Sequence, residues 1–263
     1  MALLRRLTGD EQRTVRHWAM EFIVVVAGVL LALWLQDWGE HRKALDAMEA
    51  AEAAVHDEVR ETLTSLIWRE AIRKCHRDRT QLILDRLLDS NNHWPGINEN
   101  VLSPAVGKLP TSVAPGIYQR PVDTFTDSAW TSALATGAFA PMDRKRFSQL
   151  VSLYDQIEFL RKTREIEDDA ASRLSPLVHP LELTPDLRAE MLRGVYDLDR
   201  TRFVFEFQGN PADFATAMRR LGWNDAAEID RSIIEGDRDT AQRGIKFRPC
   251  VVKEKNPFRT ASH

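Results

Sequence analysis

Three observations predict an all-α protein, with one N-terminal transmembrane helix that continues into a long helix packed in an extracytoplasmic helical bundle. Residues 22–35 (FIVVVAGVLLALWL) carry no charge. Residues 40–89 hold no proline and are dominated by Ala, Leu, Glu and Arg, all strong helix formers. Beyond residue 124, apolar positions recur at three- and four-residue intervals behind capping residues. The expected layout is a cytoplasmic segment (1–17), a span (18–38) and a helical domain (39–263). Within that domain we expect a long helix (39–89), a Pro-rich loop (90–123), further helices (124–243) and an extended tail (244–263).

The span comes first. From Trp18 to Trp38 a helix rises roughly 30 Å, about the thickness of bilayer hydrocarbon. Tryptophan at both ends suits the two interfaces. The apolar residues between them favour insertion by ~3–6 kcal/mol, against ~2.5–3.5 kcal/mol for one mid-membrane charge. Glu21 lies near an end, so insertion wins. No small-x-small cleavage site follows the apolar run, which argues for an uncleaved anchor. Residues 1–17 carry Arg5, Arg6, Arg13 and Arg16, whereas 39–55 carry only Arg42 and Lys43. That bias puts the N-terminus in the cytoplasm and the long C-terminal part outside, in the periplasm of a bacterium. Glu21, Val25, Gly28, Ala32 and Gln36 share one helix stripe. Gly28 and Ala32 form a small-xxx-small pair, which permits a helix–helix seam with a second copy or another protein. A lone span with Glu21 reaching toward headgroups fits the stripe equally well.

The helix after the span has an apolar stripe through Leu45, Met48, Val55, Val59, Leu63, Ile67, Ala71, Cys75 and Leu82. A bend near Gly39 is allowed. Residues 90–123 then hold Pro95, Pro104, Pro110, Pro115 and Pro121. Loops of this length are uncommon in compact domains and are often functional. His93, Trp94, Tyr118 and Arg120 are the candidate partner contacts there. The competing expectation, which we prefer, is that Trp94 and Tyr118 anchor the loop to the bundle.

Helices resume at DSAWTSALATG, with Trp130 and Leu134 inward and Gly137 as the stop. Asp143 caps the next helix, Met142 and Phe147 are spaced for a hydrophobic staple, and the helix runs to about Leu174. Thr184-Pro185 and Asn210-Pro211 open two more helices. A last helix covers about Asp225 to Glu235. Antiparallel packing of the long helix against the 143–174 helix is the expected core.

Chemistry is sparse in the pattern. With 29% charged residues but a net charge of −3, the chain lacks the basic excess of a nucleic-acid binder. His76-Arg77-Asp78 superficially matches a kinase catalytic loop, but Ile83 stands where that loop needs Asn and the context is helical. Metalloprotease, nucleophile-elbow and phosphate-loop motifs are absent, so we assign no catalytic, metal or cofactor-binding residue. Glu167-Asp168-Asp169 reads as a solvated acidic face. Cys75 and Cys250 are the one specific pair: in an oxidising compartment they can form a disulfide that pins the tail to the long helix, or they can remain buried thiols.

Two segments carry a resemblance. EFIVVVAGVLLALWLQDWGEHRK resembles the N-terminal span of uncharacterised bacterial single-pass membrane proteins, a valine-rich run closed by a Trp-Gly/Asn-Glu element. DSAWTSALATGAFAPMDRKRFSQLVSLYDQ is similar to their second signature. The resemblance implies no activity and transfers no site residues. The expected function is therefore a non-enzymatic scaffold, accessory subunit or sensing module in the envelope, with the bilayer and a protein partner or second copy as its contacts. The roughly 17 residues before the span favour an accessory role over a complete receptor. The alternative is a membrane-tethered enzyme using carboxylates of the bundle or of the 90–123 loop.

Overall fold

The computed structural model describes residues 9–89, 91–97, 117–118, 125–242, 244 and 246–260, with side chains from His17 to Arg259 within those ranges. Its helices are α1 (Gly9–Leu88), α2 (Ser128–Thr136), α3 (Arg144–Arg173), α4 (Pro185–Gln208), α5 (Pro211–Arg220), α6 (Ala226–Gln242) and α7 (Pro257–Thr260). Two short strands, β1 (His93–Trp94) and β2 (Leu181–Glu182), pair antiparallel. The fold is all-α, as the helical periodicity predicts.

α1 carries both the apolar segment and the first helix of the domain, and it passes Gly39 without a break. Every large apolar side chain from Trp18 to Trp38 is exposed. Burying each one is worth ~1.5–3 kcal/mol, so this surface calls for a non-aqueous surrounding. The segment is long and apolar enough to cross a membrane. Burial begins further along, with Met48 against the core and Val55 fully enclosed.

Local signals set the element boundaries. Asp143 accepts hydrogen bonds from the Lys145 and Arg146 amides, Thr184 from Leu187, and Asn210 from Ala212. Each cap satisfies an amide that the helix itself leaves orphaned. α2 ends at Gly137, whose φ of +67° is left-handed and available to glycine at little cost. Leu134 departs from expectation and is exposed. The nine-residue α2 turns Trp130 and Ala133 inward, where Trp130 stacks on Tyr154 at 4.7 Å, and that choice leaves Leu134 outside. α6 runs to Gln242, past the expected end at Glu235, and the tail closes with α7.

The packing direction corrects one expectation. Contacts between α1 and α3 pair Glu52 with Arg146, Glu58 with Tyr154 and Arg69 with Glu167. The numbers rise together, so the two helices run parallel. α4 is the antiparallel member: Gln156 reaches the Gln208 carbonyl, and Arg188 reaches the Leu87 carbonyl at the other end. The reason is where α2 and α3 begin relative to β1. β1 lies beside the far end of the bundle, whereas the start of α2 contacts Glu58. The two places lie roughly 40 Å apart along α1. α3 then starts again from the end nearer the apolar segment. α3 and α4 approach closely at Gly194, where an added Cβ would lie 3.1 Å from the Leu174 side chain.

Two apolar clusters form the core. One, nearer the apolar segment, joins Val55–Ile67 of α1 to Leu150–Leu160 of α3, Phe205 and α5. The other, at the far end, joins Ile83 and Leu87 to Trp94, Leu174, Met191 and Leu198. Between them lies a polar waist at the level of Arg69–Thr80 on α1, Thr163–Glu167 on α3 and Thr201 on α4. Leu82, expected inside, is exposed, and Ile83 is buried in its place. Four-residue steps drift about 40° each around a helix, so a row followed by fours leaves the core face.

Candidate functional site

The waist is built on one buried ion pair. Arg69 of α1 and Glu167 of α3 meet in a bidentate contact, at 2.5 and 3.3 Å. Glu167 is 1% exposed. The acidic run at 167–169 is therefore no uniform solvated face, because its first member is a core residue. Its register, four residues after Thr163 and seven after Leu160, is the signal that marks it as inward. The Arg69 guanidinium also lies 3.7 Å from the centre of the Phe205 ring, a cation–π contact.

Tyr118 completes the group. Its hydroxyl lies 3.1 Å from Glu167 Oε1 and 3.2 Å from His76 Nδ1. A phenol has one proton, and donating it to the carboxylate leaves the oxygen to accept from His76 Nδ1–H. Burial, followed by the Glu167 charge, pushes the Tyr118 pKa well above its ordinary value. The phenol stays protonated and acts as a donor. The cavity these residues line measures about 30 Å³, room for no more than a couple of waters.

A second buried carboxylate, Glu58, caps a helix to which it is not joined. Its oxygens accept from the Ser128 hydroxyl, the Ala129 and Trp130 amides and the Tyr154 hydroxyl. The N-cap residue of α2, Asp127, makes no side-chain capping bond, so α1 supplies the cap. Burial alone would raise the Glu58 pKa. The hydrogen bonds from Tyr154, Ala129, Thr126 and Ser128 outweigh it and hold the carboxyl below its usual range.

Beside the waist, a groove opens to the surface. Its floor is α1 from Ile67 to Lys74, one wall is the start of α5 at Asn210–Ala212, and the other is the tail at Val252–Lys255. The volume is about 510 Å³, within the range of small-ligand sites. The tail is fastened at both ends of this wall. Cys75 and Cys250 are joined by a disulfide, with Cα atoms 5.0 Å apart, and the Val252 amide donates to the Ala71 carbonyl. Asn256 donates to the Ala226 carbonyl and to Asp230. Glu70, Arg73 and Glu206 line both the groove and the waist cavity.

The residues singled out in the sequence are scattered across this architecture. Glu21, Val25, Gly28, Ala32 and Gln36 lie along the exposed apolar part of α1. A Cβ on Gly28 would meet nothing within 4 Å, and Gln36 bonds Glu40 one turn on. The candidate contact loop is corrected in part. Trp94 is 1% exposed and donates its indole N–H to the Leu177 carbonyl, and Tyr118 is the waist phenol. Neither is offered to a partner. His93 stays at the surface, beside Glu182. Arg120 lies outside the described residues. Sequence reading missed Glu58, Arg69 and Glu167, because a charged residue at a core-facing position looks like an interruption of the stripe. No family model, curated protein or solved structure matches this chain.

Proposed function

We propose that this protein is a membrane-anchored, non-enzymatic envelope component. Its helical domain would stand in the bacterial periplasm and act by binding, as a scaffold, accessory subunit or sensing module. One observation carries the reading: a single uninterrupted helix supplies both the exposed apolar segment and the central core helix of the domain. A shift of α1 at the waist is mechanically linked to the segment in the membrane. The arginine bias before the apolar run supports an inward N-terminus. The Cys75–Cys250 disulfide suits an oxidising compartment. The partner surfaces on this reading are the Gly28–Ala32 stripe, for a second copy or another span, and the groove beside the tail.

Two measurements test it. An alkaline phosphatase fused after residue 263 should be active, and an inserted but inactive fusion would overturn the orientation. Cysteine crosslinking from Gly28→Cys and His93→Cys in intact cells should give defined adducts. Absence of any adduct from both positions would overturn the interaction reading.

A further inference from the structure

We infer that the groove between α1 and the disulfide-held tail binds a short zwitterionic peptide through Glu254 and Lys255. This deepens the reading of the domain as a binding module and does not depend on which side of the membrane it occupies.

Most charges lining the groove are already committed. Arg73 pairs with Glu70, Lys74 with Asp78, and Lys253 with Asp237. Glu206 is held by Arg202 and Arg77. Glu254 and Lys255 differ, since among the described residues neither makes a hydrogen bond or an ion pair. Yet Glu254 is only half exposed and lines the groove. Its surroundings, by desolvation first and by Asp237 second, disfavour a bare carboxylate there. An ammonium group seated against Glu254 would remove that penalty.

The backbone adds a second requirement. Val252 donates to Ala71, but the amides of Lys253, Glu254 and Lys255 have no partner among the described residues. Backbone groups at a groove wall form hydrogen bonds with whatever occupies it. One acid, one base and a run of amides without partners among the described residues are together the complement of a peptide with both termini unblocked. Ile67, Ala71 and Pro211 supply an apolar floor for small side chains. The disulfide fastens one end of this wall, so breaking it should loosen the site.

The test uses the full chain in detergent micelles, titrated with trialanine by calorimetry. Free trialanine should bind with a Kd tighter than about 1 mM. The N-acetylated, C-amidated form should bind about ten- to a hundredfold more weakly. Glu254→Gln should weaken the free peptide by a similar factor while leaving the thermal midpoint unchanged, since Glu254 makes no hydrogen bond or ion pair among the described residues. Lys255→Gln should weaken the free peptide but not the C-amidated one. Cys75→Ser, with the tail released, should lose binding. Equal binding of free and blocked peptide, or no heat from either, would overturn the proposal. Neither result would bear on the phosphatase topology, so failure here is distinguishable from failure of the broader reading.

Discussion

Glu58 ties stability to pH. Its carboxylate is held below the ordinary value of 4.5 by donors that favour the charged form. The unfolded chain therefore binds this proton more readily than the native state. The stabilisation is fully present above the unfolded pKa and is lost as pH falls through the lower folded value. Glu58→Gln should cost ~1–3 kcal/mol at neutral pH and flatten the acid side of a stability-against-pH curve. Thermal unfolding of the detergent-solubilised protein between pH 7 and acid conditions is the measurement; an unchanged acid limb would refute the assignment. The waist pair behaves differently. Glu167→Leu leaves the Arg69 guanidinium buried without its carboxylate and should cost ~3–5 kcal/mol. Pairing it with Arg69→Leu should recover most of that loss, because an apolar pair of similar size replaces a desolvated ion pair. A double-mutant cycle reads the difference, and additive losses would mean that the contact is not the source.

At the scale of elements, the contacts that matter join helices distant in sequence. α2 is short, and its N-terminus is capped from α1 by Glu58, so it depends on the bundle for its stability. Gly194 sets how closely α4 meets α3. Alanine there gains ~1 kcal/mol of helix propensity. It also places a methyl 3.1 Å from Leu174 and 3.4 Å from the Ala170 carbonyl. Leu174 is fully buried and cannot yield, so overpacking of ~1–3 kcal/mol wins. Gly194→Ala should lower the midpoint of thermal unfolding, and a raised midpoint would mean that the helices separate at small cost. The tail is a third such element. Its disulfide closes a loop of 175 residues. Cys75→Ser should cost ~2–5 kcal/mol and expose the tail to limited proteolysis. If reductant left both stability and cleavage pattern unchanged, the bond would not be what holds the tail.

Across the whole molecule, the local layers were legible in the residues. The apolar segment, the all-α class, the caps at Asp143, Thr184 and Asn210, and the stop at Gly137 depend on side chains within four positions of one another. The physical chemistry of a single helix turn is enough to read them. The pairing Cys75–Cys250 was visible as a possibility, and its geometry was not. The run of α3 alongside α1 was misread, because the helices of a bundle were expected to pack antiparallel. Here α2 begins beside Glu58, far along α1 from β1, and the proline-rich composition of the segment between says nothing about that separation. Arg69, Glu58 and Glu167 were present as letters, but a buried charge is recognisable only once its partner is within reach. The partners of these three stand 49 to 98 residues away along the chain. Composition and periodicity therefore settle where helices and the apolar segment lie, since those are short-range balances of propensity and hydration. Helix direction, the polar waist and the groove come from packing between remote segments, where contact energies depend on three-dimensional distance and a linear pattern carries none.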